Sequence, residues 1–447
     1  MLIRFVLSNF LSFDEEREFN MIASSSLKTH KHHVYKVGKV DVLKAAAIYG
    51  ANGAGKSNFI KAIEFLIEAI TDGGISKSVN TLKFKLNKIN ETRPVSFEIE
   101  FTILKKIYSY GVSFNSNVVV EEWLYESGIN IEDKLIFERS IDNNTGNTVI
   151  NVAEKFKKTN KQKLLIELME ERFLKPGELL LSKSKELEIE EVTTVKNYLL
   201  HNIVLIYPGS KYLGLVPALT TSKRFNAFAN DLLQSFDTGV SELGIEIIDF
   251  EKYFGNDEDK LKKELLEIIN NGESVSLKTE AGGVIVTKEK GKNIVKKVVA
   301  EHINNSGKKV SFDLDEESDG TQRLLDFIPA FDGVLQGEVA FIIDEIDQSL
   351  HPALLKALVE KLMKDETTKG QLIFTTHESN LLDLDIFRQD EIWFAEKEKK
   401  SSSTQLYSLS DFKPRYDLDI RKGYLKGRFG AIPFLANLEE LNWQNHA

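Results

Sequence analysis

Gly50-Ala51-Asn52-Gly53-Ala54-Gly55-Lys56-Ser57 matches G-x-x-x-x-G-K-[ST] at every fixed position. Upstream, Leu43 to Tyr49 is apolar apart from Lys44, the composition of a strand buried on both faces. Downstream, Phe59, Ile60, Ile63, Leu66 and Ile70 recur at helical spacing. The octapeptide is therefore a loop that joins a strand to a helix N-terminus, where free N–H groups and the helix dipole favour an anion. Gly50, Gly53 and Gly55 allow the backbone to curl round a phosphate, and Ala51, Asn52, Ala54 and Asn58 complete the loop and the start of its helix. Lys56 supplies a point charge for β/γ-phosphates, and the Ser57 hydroxyl is a Mg²⁺ ligand of the right hardness.

A second constellation lies almost three hundred residues on. Val339-Ala340-Phe341-Ile342-Ile343 reads as a short buried strand ending in Asp344-Glu345. Acids at the C-terminal end of a parallel strand stand where a doubly wound sheet places its ligand chemistry. Asp344 is the candidate Mg²⁺ ligand and Glu345 the candidate general base for an attacking water. Pro352 opens a helix whose apolar face is Leu354, Leu355, Leu358, Val359 and Leu362. Gln371 to Thr376 reads as another strand, and His377 at its end is placed to meet a γ-phosphate or the attacking water. Before the acidic strand, Glu317-Ser318-Asp319-Gly320-Thr321-Gln322 precedes an apolar helix, with Ser318 its N-cap.

This order of motifs resembles the ATP-binding-cassette type of ATPase head, in its SMC/RecF/OLD-like branch. Asn9-Phe10-Leu11-Ser12-Phe13 is similar to the branch's opening strand, Gly50–Ser57 to its Walker A and Ser318–Gln322 to its signature. Val339–Glu345 is similar to Walker B, Asp347–His351 to the D-loop and His377 to the switch histidine. The signature reads S-D-G-T-Q where a transporter has L-S-G-G-Q, and Leu179–Lys183, where a Q-loop would fall, holds no glutamine. Asp390–Phe394 and Arg421–Pro433 resemble stand-alone phage-defence and abortive-infection ATPases of the RloA-like and PARIS-type kind.

The resemblance implies an α/β fold: a P-loop NTPase of ABC-ATPase type with a flanking antiparallel β-sheet and a mainly helical insertion. It divides the chain into an N-terminal ATPase lobe over 1–150, an insertion with a β-hairpin over 151–309, and a C-terminal lobe over 310–447. It implies ATP and Mg²⁺ as cofactors and a homodimer or higher homo-oligomer with two ATPs sandwiched between protomers. Catalysis would fall to Glu345, His377 and Lys56, metal binding to Ser57 and Asp344. Ser318, Asp319 and Gly320 would reach the nucleotide held by the other protomer. The function implied is an ATP-driven switch in antiphage defence that controls a separate nuclease or toxin-like effector. A RecF/SMC-like DNA-repair ATPase is the alternative. An OLD-type nuclease is disfavoured, because only 52 residues follow Ala395, too few for a Toprim domain.

The remaining sequence narrows the class. The chain has 447 residues, 58 Lys+Arg against 68 Asp+Glu, and a formal net charge of −10, which argues against an evenly basic nucleic-acid-binding surface. It holds no cysteine, so disulfides, thiolate metal sites and cysteine nucleophiles are excluded together. The lack of cysteine fits a cytoplasmic protein, and no run of about 18 uncharged apolar residues is present to span a bilayer, so no membrane partner is expected. Val95, Phe97, Ile99, Phe101 and Ile103 alternate with polar residues as a half-buried strand; Tyr108 to Phe114, Trp123 and Leu135–Phe137 predict further strands. Ala153 to Phe250 is predicted mainly helical, and Val284–Val286 with Val295, Val298 and Val299 predicts a hairpin after a Gly282-Gly283 turn. Lysines cluster at 155–163 and at 288–297 without interleaved aromatics, the pattern of solvated faces more than of a nucleic-acid groove. His30, His32 and His33 have no acid or cysteine beside them in the sequence and read as a polar loop in preference to a metal site.

Overall fold

The computed structural model describes residues 1–128, 132–142, 145–255, 260–279, 282–415 and 418–432. Pro433, the last residue of the basic Arg421–Pro433 stretch, lies outside them. The chain forms two compact units. The first comprises Met1–Ile206, Gly337–Ile346 and Val359–Ala447; the second comprises Tyr207–Gln336 and Asp347–Leu358. The division falls at Ile206. It places the Ser318–Gln322 motif and the Asp347–His351 turn in the second unit, apart from the acidic strand.

The P-loop strand Ala45–Tyr49 is buried at all five residues, as its apolar run requires. It lies inside a six-stranded sheet ordered Ile203–Ile206, Ala340–Ile343, Gln371–Thr376, Ala45–Tyr49, Ile392–Lys397, Thr404–Ser408. All neighbours pair in parallel except the last two. The register aligns Ile343 with Phe374, and Thr376 with Tyr49. Asp344, His377 and Gly50 therefore leave the sheet at one edge, that of the strands' carboxyl ends.

A seven-stranded antiparallel sheet completes this unit, ordered Thr148–Val152, Lys134–Ile141, Val118–Ser127, Lys106–Asn115, Val95–Ile103, Leu2–Ser8, Arg17–Asn20. Val95, Phe97, Ile99 and Phe101 face inward, matching their period-two spacing. Phe97 meets Phe5, Phe10 and Phe65, and Phe59 meets Phe5 and Phe19. Phe59 and Phe65 belong to the helix Lys56–Asp72, so this aromatic layer fixes the helix that carries Lys56 and Ser57. Each such ring contributes about 2–3 kcal/mol by burial.

The opening strand is Leu2–Ser8, and Asn9–Phe13 is not a strand but the turn that follows it. Asn9 and Leu11 take positive φ (53° and 49°), which ends the strand. The Asn9 side chain compensates by bonding to the carbonyls of Asn90, Arg93 and Pro94 and to Phe84 N–H.

The second unit differs more from the sequence reading. Its centre is a five-stranded antiparallel sheet, Glu242–Asp249, Lys292–Ile303, Gly282–Glu289 and Val275–Thr279 in order, with Lys309–Asp313 also paired to Lys292–Ile303. The hairpin is present within it, but Gly282 and Gly283 start a strand and the turn is Lys290-Gly291. Phe250, Leu265, Ile269, Val284, Val286 and Val295 form its core. Helices Leu215–Thr221 and Lys223–Ser235 fall in the region read as helical, whereas Ile203–Ile206 is a strand of the parallel sheet.

Candidate nucleotide site

The P-loop is shaped by contacts that leave no room for side chains at two glycines. A Cβ on Gly50 would lie 2.4 Å from Ala395 O. One on Gly55 would lie 2.1 Å from Thr404 Oγ1 and 2.8 Å from Ser12 Oγ, and Gly55 also has φ +106°. Ser12 and Thr404 form the wall behind the loop: Thr404 Oγ1 donates to Ala54 O at 2.9 Å, and the two hydroxyls are 2.8 Å apart. Asn58 Nδ2 donates to Ser12 Oγ at 2.9 Å. The turn after the first strand therefore acts as a buttress of the loop.

Lys56 is buried, and its Nζ donates to Gly50 O at 2.7 Å and Ala51 O at 3.3 Å, curling the loop over the helix start. The same ammonium lies 2.9 Å from His377 Nε2 and 3.5 Å from its Nδ1. Gly55 caps the helix without a side-chain bond, so the first-turn N–H groups around Ser57 face the loop. Asn52 and Gly53 form its exposed rim.

At the neighbouring strand end, Thr375 Oγ1 donates to Asp344 Oδ1 at 2.6 Å and accepts from Glu345 N at 2.8 Å. Asp344 N bonds to Ile206 O at 2.8 Å, so the outer strand of the sheet anchors it. Glu345 has φ 51°, a left-handed conformation that costs a non-glycine residue about 1–3 kcal/mol and recurs at functional sites. The sequence pattern assigns Thr375 only to a strand; its functional signal is a pair of threonines closing a strand otherwise apolar after Gln371, because a buried hydroxyl needs a partner.

The structure thus brings Lys56 and His377 together, joins Asp344 to Glu345 through Thr375, and sets all four at one sheet edge. Ser318, Asp319 and Gly320 stand in the second unit at the start of the helix Asp319–Gln336. Ser318 Oγ accepts from Thr321 N at 3.2 Å, the N-cap bond expected. Gly320 packs on the Asp347–His351 turn, where a Cβ would meet Ser349 O at 3.1 Å.

The residues fit a nucleotide and Mg²⁺. The glycine cradle, the buried lysine and the uncapped helix start suit a polyphosphate, and a serine hydroxyl with a carboxylate is a hard oxygen donor set. Within the lysine clusters, Lys155 pairs with Glu191 and Lys161 with Glu188, while Lys296 meets Glu289 and Lys297 meets Glu246 and Asp313. No helix among the described residues is long and apolar enough to cross a membrane.

These features define an α/β P-loop protein of ATPase type. Residues 45–175 and 182–383 match the family described as "AAA domain, putative AbiEii toxin, Type IV TA system", and the chain belongs to that family. Among curated proteins none matches the sequence. Three similar solved structures are SMC heads. One, bound to the C-terminal winged-helix domain of ScpA, is 14% identical with a TM-score of 0.44, covering 92% of this chain and 99% of that one. The head from Thermotoga maritima is 12% identical at 0.36, with 91% and 98% covered. A Pyrococcus furiosus head with an extended coiled coil, bound to the C-terminal domain of ScpA, is 14% identical at 0.40, with 92% and 97% covered.

Proposed function

We propose that the chain is an ATP-hydrolysing switch. The observation that carries this reading is the Thr375 clasp, which holds Asp344 and Glu345 at the same sheet edge as the Lys56–His377 contact. The P-loop N–H groups and Lys56 hold the β/γ-phosphates. Ser57 and Asp344 would hold Mg²⁺, which when bound would neutralise phosphate charge. Glu345 takes a proton from a water whose oxygen attacks the γ-phosphorus, ADP leaves, and the products are ADP and phosphate. His377, already paired with Lys56, senses the γ-phosphate.

Ser318, Asp319 and Gly320 contact the nucleotide of a second protomer, so ATP closes a homodimer and hydrolysis releases it. The γ-phosphate then supplies the differential affinity that any two-state switch requires. The family's toxin–antitoxin description supports a role in defence. We place the chain there beside stand-alone phage-defence ATPases, controlling a separate effector. The formal net charge of −10 weighs against DNA as its direct ligand. The test is Mg²⁺-dependent phosphate release by the purified chain, with co-purification from its host. Turnover with a nuclease- or toxin-like companion is expected; no turnover, or a recombination complex in its place, would overturn the reading.

A further inference from the structure

At the far end of the P-loop strand from Gly50, the chain makes a tight turn over His30–His33. His33 N bonds to His30 O at 3.0 Å, and His30 sits in the left-handed region (φ 45°, ψ 52°). The turn stacks three imidazoles, with His30–His33 centroids 4.9 Å apart and His32–His33 centroids 4.4 Å apart. One ring nitrogen from each residue falls within 4.8 Å of the others.

Two of the rings are held from behind by oxygen acceptors. His33 Nδ1 lies 2.9 Å from Glu391 Oε2, and that oxygen also accepts Arg388 N–H at 2.8 Å. His30 Nε2 lies 2.8 Å from Leu384 O. The backbone carbonyl of Met363 also accepts from the His32 and His33 rings, a contact that a bound ion would displace. A carboxylate or carbonyl behind each imidazole is the arrangement that fixes tautomer and orientation in histidine metal sites. Glu391 is fully buried, and its Oε1 has no hydrogen-bond partner among the described residues. The neighbouring protein cations are engaged elsewhere. Arg388 forks onto both oxygens of Asp390, and Lys44 donates to Met363 O and Asp365 O.

We propose that His30, His32 and His33 bind one borderline divalent transition ion of the Zn²⁺ class, with Glu391 as the carboxylate behind His33. Three imidazoles with water as fourth ligand suit tetrahedral Zn²⁺ at about 2.0–2.1 Å per nitrogen. That geometry sets nitrogens about 3.4 Å apart, so the rings close by about 1 Å on binding. The acid missing beside the histidines in the sequence is supplied by a residue 358 positions later. The role is structural: His33 O accepts Lys44 N–H, and the five-residue strand between Lys44 and the P-loop spans about 16 Å. An ion there fastens the histidine turn to the segment 384–391, which feeds the adjacent parallel strand Ile392–Lys397.

The test uses the full chain without an affinity tag, stripped by chelator and titrated with Zn²⁺ by calorimetry and with Co²⁺ by visible absorption. Expected are about one equivalent per chain, tetrahedral Co²⁺ bands and a raised Tm. His32→Ala, at a partly exposed ring, should abolish saturable uptake while the far-ultraviolet circular dichroism is retained. Glu391→Gln should weaken binding about 10–100-fold. Absence of saturable uptake by the wild-type chain, or uptake by His32→Ala and His30→Ala equal to wild type, would overturn the proposal. Neither result depends on nucleotide turnover.

Discussion

The Thr375 hydroxyl donates to Asp344 Oδ1 at 2.6 Å, and by accepting Glu345 N–H it fixes the backbone from which the next carboxylate projects. Thr375 is fully buried and bonds to both acids, so its role is to position them. Thr375→Val, nearly isosteric, should lower kcat for ATP about 10–100-fold with KM within a few-fold of wild type. Thr375→Ser should restore turnover, which a mere packing role would not require. Wild-type kcat in the valine variant would end the positioning assignment.

Lys56 and the two groups at the carboxyl edge should separate binding from chemistry. Lys56→Ala removes the charge that faces the phosphates and should weaken ATP binding about 30–150-fold, read by fluorescent-nucleotide titration. Glu345→Gln should keep ATP, lose about 10²–10⁴ in turnover, and accumulate a dimer in light scattering with Mg²⁺-ATP. His377→Ala should bind ATP and turn it over slowly. Unchanged turnover in Glu345→Gln would remove the general-base role.

What was readable in the sequence is what is local. The P-loop, its strand and helix, and the Ala340–Ile343 strand with its acids are contiguous patterns whose chemistry depends on neighbours a few residues away. The Ser318 cap was readable for the same reason. Ile203–Ile206 was not, because four apolar residues directly after the helix Glu190–His201 continue its pattern, and only pairing with Ala340–Ile343 makes them a strand. Asn9–Phe13 resembles the opening strand of an ATPase head, yet positive φ at Asn9 and Leu11 bends it into the loop's buttress. Thr375, Thr404 and Glu391 acquire their meaning from partners 31, 350 and 358 residues away, which no local pattern encodes.

The wall behind the P-loop gives a third test. Gly55→Ala meets both a steric conflict with Thr404 Oγ1 and Ser12 Oγ and an unfavourable φ of +106°. The two costs together are about 2–5 kcal/mol, expressed as a lower Tm and loss of nucleotide binding. Adding Thr404→Ala should recover part of the loss, because it relieves the 2.1 Å contact and leaves the backbone penalty. Full recovery would mean that φ carries no cost; none would mean that the wall does not set the loop.

A fourth concerns pH and the segment Leu179–Lys183. Fully buried Glu122 accepts N–H bonds from Leu180 at 2.6 Å and Leu181 at 2.8 Å and the Tyr110 hydroxyl at 3.1 Å, with an Arg139 nitrogen 3.8 Å away. Leu179 N bonds in turn to Gly73 O at the end of the P-loop helix, so Glu122 is the strut that holds this segment against it. Burial pushes the Glu122 carboxyl above its ordinary range, against the pull of Arg139 and the N–H donors. As pH rises past about 4.3, the unfolded chain loses this proton before the native one does, and the native state is favoured less. The contribution is complete below that pH and is lost as pH climbs through the raised native value, at up to about 1.4 kcal/mol per unit. Urea midpoints of wild type and Glu122→Gln between pH 4 and 8 isolate it, since all other groups titrate in both. The wild-type midpoint should fall relative to that of the variant across this range, and a constant or rising difference would show that Glu122 folds already ionised.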